Sequence, residues 1–120
     1  MQGIDVVIHT AALKHVILCE KSPWDAVETN IIGINNLIHA AVANKVKRVI
    51  YTSSDKAVNP TNVMGTSKLM GERLITVANA KKYNGISPIF ASTRFGNVLG
   101  SAGSVIPIFK KRFLKVDRLL

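Results

Sequence analysis

The order in which short apolar runs and a long capped helix alternate constrains this chain more than any single motif. Ile4 to Thr10 reads Ile-Asp-Val-Val-Ile-His-Thr, and Val46 to Ser53 is a second run of the same kind. Short, continuous, β-branched runs suit strands buried on both faces, as in a parallel sheet. Between them lies a strong helix start, Ser22-Pro23-Trp24-Asp25. Ser22 is placed to cap, Pro23 suits the first helical position, and Asp25 completes an acidic capping box. Val27, Ile31, Ile34, Ile38 and Ala41 then recur at steps of three and four, an apolar stripe that predicts a helix running to about Asn44. A loop holding Lys14, His15 and Cys19 is expected before it.

A second helix is predicted after a cap at Thr61 or Asn62, with Leu69, Leu74, Ile75 and Val77 towards the core and an end near Tyr83-Asn84-Gly85. Ser87 to Thr93 reads as a third strand, and Val105 to Phe113 as another short helix. Strand, helix, strand, helix, strand argues for an α/β fold with a parallel sheet and right-handed crossovers. In such sheets the ligand site lies beyond the carboxyl ends of the strands. The polar sets His9-Thr10, Ser53-Ser54-Asp55-Lys56 and Arg94 to Asn97 all fall there.

Bulk properties narrow the function. With 120 residues, 48% hydrophobic and 19% charged, the chain suits a single globular domain. A single cysteine, Cys19, excludes an internal disulfide and reads as a buried thiol in a reducing compartment. The net charge of +9 could serve nucleic acid, but the basic residues are scattered and not interleaved with aromatics. A field favouring a phosphate-bearing small molecule fits better. No apolar run approaches the roughly 20 residues of a membrane span. No basic leader precedes the first run, so a cytoplasmic setting is expected.

Chemistry concentrates between Tyr51 and Lys68. The second strand ends in hydroxyls and then in an adjacent acid and base, Asp55 and Lys56. Met64 and Lys68 follow four residues apart on the second helix, which places them on one face.

Asp5-Val-Val-Ile-His-Thr-Ala-Ala12, Thr29-Asn-Ile-Ile-Gly33, the stretch from Ser53 to Lys68 and Arg94-Phe-Gly-Asn-Val-Leu-Gly100 occur in the order and spacing of extended short-chain dehydrogenases/reductases. More narrowly, His9-Thr-Ala-Ala-Leu-Lys-His15, Ser54-Asp-Lys-Ala-Val-Asn-Pro60 and Phe95-Gly-Asn-Val-Leu-Gly-Ser101 make the chain resemble nucleotide-sugar 4,6-dehydratases acting on UDP-N-acetylglucosamine, the capsule-type polysaccharide-biosynthesis branch. The resemblance implies a partial Rossmann-type, doubly wound parallel sheet, an NAD or NADP cofactor, a UDP-sugar substrate and a homo-oligomeric parent. It also implies a setting on the cytoplasmic side of the membrane. The family opens with a Gly-x-x-Gly-x-x-Gly turn that this chain lacks, so residues 1–120 are expected to be one domain fragment beginning near the fourth strand. Residues 113–120 are expected to fray.

Residue roles follow from the resemblance. Lys68 would bind the nicotinamide ribose and lower neighbouring pKa values by its charge. Ser54 would hydrogen-bond the sugar O4, with Ser53 as the competing choice. Asp55 and Lys56 would form the elimination pair, acid and base, given burial to tune them. Thr10, Ala11 and Ala12 would line the adenosine side of the cofactor, and Asn30 would support the active-site lysine or serve a structural role. Lys14 and His15 could face the sugar, and Asn97 the nucleotide-sugar diphosphate. Arg94 reads equally as a structural pairing residue, and His39 as an ordinary helix residue. Met64 stands where most of the superfamily has the tyrosine that moves the sugar hydroxyl proton. A thioether cannot do so, so another group must carry that proton. No metal site is expected.

Two other readings stand beside this one. A nucleotide-sugar 4-epimerase needs oxidation at C4 and no elimination. A non-catalytic truncated product or binding module would account for the absent Gly-rich turn.

Overall fold

The computed structural model describes residues 1–81 and 88–96. Among them, three parallel strands run in the order β1 (Val6–His9), β2 (Arg48–Ser54) and β3 (Ile89–Phe95). Val6 pairs with Arg48 and His9 with Tyr51, while Arg48 pairs with Ile89 and Ser54 with Phe95. Thr52 Oγ1 donates to the His9 carbonyl at 2.9 Å, tying the end of β1 to β2. The expected Asn97, Val105–Phe113 helix and residues 113–120 lie outside the described residues.

The loop expected after β1 is in part a helix, α1 (Val16–Lys21). Its six residues are too few to display a period. What fixes it is tertiary: Cys19 packs with Ala26 and Met64, and Glu20 accepts the Val63 backbone N–H at 2.6 Å. Cys19 is buried, as expected, and burial raises its thiol pKa.

The helix predicted from Pro23 to Asn44 is continuous but not uniform. It comprises α2 (Pro23–Val27), a π-helical turn (Glu28–Ile32) and α3 (Gly33–Ala43). At its start the Ser22 hydroxyl donates to the Asp25 carboxylate at 2.7 Å instead of capping a backbone N–H. At its end Val46 N–H donates to the Ala41 carbonyl at 3.0 Å and Lys45 N–H to the Val42 carbonyl at 3.3 Å. That is a Schellman closure, with Lys45 at φ 55° in the left-handed position. The buried pair Val46 and Ala41 supplies its apolar contact. Helix α4 (Val63–Ala80) starts at Asn62, whose side chain accepts the Gly65 N–H at 2.7 Å, so Asn62 is the cap.

Both crossovers move across the sheet in one direction, which puts α3 and α4 on the same face. Val7, Val49, Tyr51 and Phe90 meet Ile34, Leu37, Ile38, Ala41, Ile75 and Ala78 there. Of the helix α4 residues expected in the core, Ile75 is buried and Leu74 packs at the edge, but Val77 is 58% exposed. The strands are therefore not covered on both sides by the described residues: on the opposite face Val6, Ile8 and Ile89 are exposed. This is one half of a doubly wound arrangement, a partial Rossmann-type fold.

Candidate active site

The carboxyl ends of the three strands and the first half of α4 meet at one edge of the sheet. The alternation of β2 divides its last residues: Val49, Tyr51 and Ser53 are buried towards the helices, while Ile50, Thr52 and Ser54 are only partly covered. Beyond Ser54 the chain makes a 3₁₀ turn, Asp55–Ala57. The Ser54 hydroxyl donates to Asp55 Oδ1 at 3.2 Å and accepts the Lys56 N–H at 3.2 Å. Lys56 Nζ stands 4.0 Å from Asp55 Oδ1, with the two side chains 42% and 63% exposed. The burial expected to tune this pair is not supplied by the described residues. Gly96, just past β3, faces the same carboxylate, since a Cβ there would lie 3.8 Å from Asp55 Oδ2. Gly65 holds the turn against α4: a Cβ at Gly65 would collide with the Lys56 carbonyl oxygen.

Lys68 projects from α4 into this edge and is only 6% exposed. Its ammonium donates to the Thr52 carbonyl at 2.9 Å and lies 4.9 Å from the centroid of the Tyr51 ring, a cation–π geometry. Burial lowers its pKa, and the charge of Glu72 opposes that shift. His9 stacks near Tyr51 with ring centroids 6.1 Å apart. Burial and the Lys68 charge hold its imidazole pKa below the usual value, which favours the neutral ring. Tyr51 has its phenol raised well out of range by burial and by Glu72, so it is no proton carrier near neutral pH.

Met64 is 2% exposed and packs with Cys19 and Ala26. Asn30 is 1% exposed and holds three partners. Its Oδ1 accepts the Leu13 N–H at 2.9 Å, and its Nδ2 donates to the Leu13 carbonyl at 3.0 Å and to Ser67 Oγ at 2.9 Å. Ser67 in turn donates to the Met64 carbonyl at 2.7 Å. Asn30 thus locks the segment after β1 to the first turns of α4. Thr10 and Ala11 are exposed and Ala12 half-buried on that segment, with Lys14 and His15 exposed beyond it. His39 is an exposed helix residue.

Two residues with a part in the geometry had not been singled out. Glu72 is 6% exposed, one turn beyond Lys68. Arg94 grips it through Nε to Oε1 at 2.7 Å and Nη2 to Oε2 at 2.9 Å. The Arg94 guanidinium holds the Glu72 carboxyl below the usual carboxylate range; burial opposes that shift and the nearby Ser53 hydroxyl adds to it. Ser53 Oγ itself lies beside that carboxylate without hydrogen-bond geometry. Tyr51 is the other: its ring is the surface on which Lys68 rests. The signal for Glu72 was its spacing of four from Lys68 on the same helix face. Among the described residues no group of His, Cys, Asp or Glu could hold a metal ion, and no helix is long and apolar enough to cross a membrane.

A family profile described as polysaccharide biosynthesis protein matches residues 1–119. An uncharacterized membrane protein of Methanocaldococcus jannaschii is 50% identical over 96% of this chain and 34% of its own length. A UDP-glucose 4-epimerase of Rickettsia bellii is 50% identical over 91% of this chain and 32% of its own. The X-ray structure of Pen from Bacillus thuringiensis superposes with a TM-score of 0.85 at 53% identity, covering 94% of this chain and 35% of that one. MoeE5 in complex with UDP-glucuronic acid and NAD gives a TM-score of 0.72 at 25% identity, covering 78% of this chain and 35% of that one. The chain spans about a third of the length of the curated relatives it matches.

Proposed function

The chain belongs to the polysaccharide biosynthesis protein family of extended short-chain dehydrogenases/reductases, and from that premise we propose that a protein of its relatives' length containing it is an NAD(P)-dependent nucleotide-sugar 4,6-dehydratase. Its substrate would be UDP-N-acetylglucosamine and its product a UDP-4-keto-6-deoxy-hexosamine for surface glycans. The observation that carries the reading is the single turn Ser54-Asp55-Lys56, which presents a hydroxyl, a carboxylate and a lysine amino group together at the end of β2, whose Thr52 carbonyl holds Lys68.

The donor set suits the ribose–nicotinamide end of a dinucleotide. Among the described residues Lys68 donates to one acceptor, the Thr52 carbonyl, which leaves ammonium hydrogens for a ribose hydroxyl. Thr10, Ala11 and Ala12 offer small side chains along β1's end, and Ser53 lies below. When bound, the cofactor supplies a hydride acceptor at C4 of the sugar and the donor that later returns hydride to C6.

Ser54 would bond the sugar O4. Its hydrogen bond to Asp55 gives the O4 proton a route from hydroxyl to carboxylate, which answers the lack of a proton carrier at Met64. The 4-keto group then acidifies C5–H. Lys56, acting as its free amine, would take that proton; the C6–O bond breaks as Asp55 returns its proton to the departing hydroxyl as water, and Lys56 would then give a proton back to C5. Lys14, His15 and Asn97 would contact the nucleotide sugar. A cytoplasmic, homo-oligomeric enzyme, attached to the inner membrane through other segments or free, is the proposed setting.

The 50% identity to a protein named UDP-glucose 4-epimerase favours a second reading, epimerisation at C4. Turnover in deuterium oxide separates them. A dehydratase incorporates deuterium at C5 and yields a 4-keto-6-deoxy sugar, whereas an epimerase leaves C5 unexchanged. Asp55→Asn and Lys56→Met should each abolish the dehydration; turnover that survives both changes refutes the assignment.

A further inference from the structure

None of the steps above uses Glu72 or Arg94, although together they form the most closely bonded ion pair at this edge of the sheet. Glu72 stands one turn beyond Lys68 on the buried face of α4, and both are 6% exposed. Burying an ammonium is costly unless something compensates its charge. The Thr52 carbonyl and the Tyr51 ring offer only dipoles. Glu72 is the full negative charge on hand, yet both of its oxygens are occupied by the Arg94 fork.

We infer that Glu72, gripped by Arg94, is the buried counter-charge that holds Lys68 over the Tyr51 ring without capturing it. The pair is a positioning device. Glu72 offsets part of the cost of keeping Lys68 charged, and Arg94 keeps the carboxylate turned towards β3, so that the ammonium remains free for a ligand. The groups around Lys68 are His9 from β1, Tyr51 from β2 and Glu72 on its own helix, and Arg94 from β3 reaches it through Glu72. Arg73, exposed on α4, acts on Glu72 from the solvent side. The effects of these charges agree in sign with the geometry: Glu72 raises Lys68 against burial, and Lys68 lowers His9.

The inference rests on the proposed function only in taking Lys68 as the cation of the site, and it is tested without substrate. The chain is labelled with ¹³C at the lysine ε carbon, and the Lys68 resonance is assigned by its loss in Lys68→Arg. Its titration is then followed in three variants. Glu72→Gln should move the midpoint to lower pH. Arg94→Gln should move it to higher pH, because the carboxylate is released towards Lys68. Arg94→Lys should restore it towards the parent value. A purely structural pair would not give shifts of opposite sign. Midpoints that stay fixed, or that move the same way in both Gln variants, overturn the inference. Arg94 lies at the exposed end of the pair, so its variants decide the matter even if Glu72→Gln does not fold. Expected shifts in a protein that turns over no UDP-sugar would sink the proposed function alone; turnover without shifts would sink this inference alone.

Discussion

The hydroxyl of Tyr51 lies so close to Gly71 that a Cβ on the glycine would come within 2.6 Å of it and within 2.9 Å of the ring carbon that bears it. Tyr51 is 1% exposed and cannot swing aside. In a free helix Gly→Ala would stabilise by up to about 1 kcal/mol; here overpacking should reverse the sign. Gly71→Ala is expected to destabilise by roughly 1–3 kcal/mol. In the Tyr51→Phe background the cost should shrink, because the nearest atom is removed. Urea melts of the double-mutant cycle measure the coupling, and additive effects would contradict the contact.

Among the described residues, Asn30 is the one side chain that bonds both the segment after β1 and helix α4. Asn30→Leu keeps the volume but strands the Leu13 amide and carbonyl. It should cost roughly 2–4 kcal/mol, the penalty for two backbone groups left without partners. Thermal unfolding followed by circular dichroism reads it, and a loss below 1 kcal/mol would mean that water or a shifted backbone replaces the amide.

Lys45 occupies the left-handed position that closes α3, where a side chain meets its own backbone. Lys45→Gly should therefore stabilise the chain by about 0.5–1 kcal/mol, although it removes a side chain. A lower denaturant midpoint in the glycine variant would argue against the Schellman closure.

Acid should weaken the fold through His9 before carboxylates matter. Its folded pKa lies below the ordinary 6.5 because of burial and the Lys68 charge. Between those two values the unfolded chain binds more protons than the folded one. The stabilising contribution is therefore complete above 6.5 and is lost as pH falls through the folded value. His9→Phe keeps a ring against Tyr51 and should flatten the stability profile in that window. Glu72 adds a second loss at lower pH, since its folded pKa lies below the ordinary 4.5. A slope unchanged in His9→Phe would show that other groups titrate there.

Much of the layout is legible in the sequence because it depends on local chemistry. The β-branched runs, the Asn62 cap and the apolar steps through Ile34, Ile38 and Ala41 each encode their element within a few residues. The clustering of Ser54, Asp55, Lys56 and Lys68 follows from strand and helix order alone. Other features needed three dimensions. Helix α1 is held by Glu20 reaching Val63 across the fold, a contact no local pattern announces. Glu72 becomes informative only once β3 brings Arg94 to it. Tyr51 reads as a strand residue of no special kind until its ring is seen beneath Lys68.

The π-helical turn at Glu28–Ile32 gives the long helix two phases. Before it, Ala26 faces the α1 cluster; after it, Ile34, Leu37, Ile38 and Ala41 face the sheet. The wide turn carries Asn30 at the seam, where neither a purely apolar stripe nor a regular repeat would put an amide. Such a turn acts as a clutch between two angular settings of one rod. Deleting a single residue from it would rotate everything downstream by about 100°, so either the amide or the apolar stripe would face the wrong way. The seam therefore tolerates substitution of its outward residues but not a change in their number.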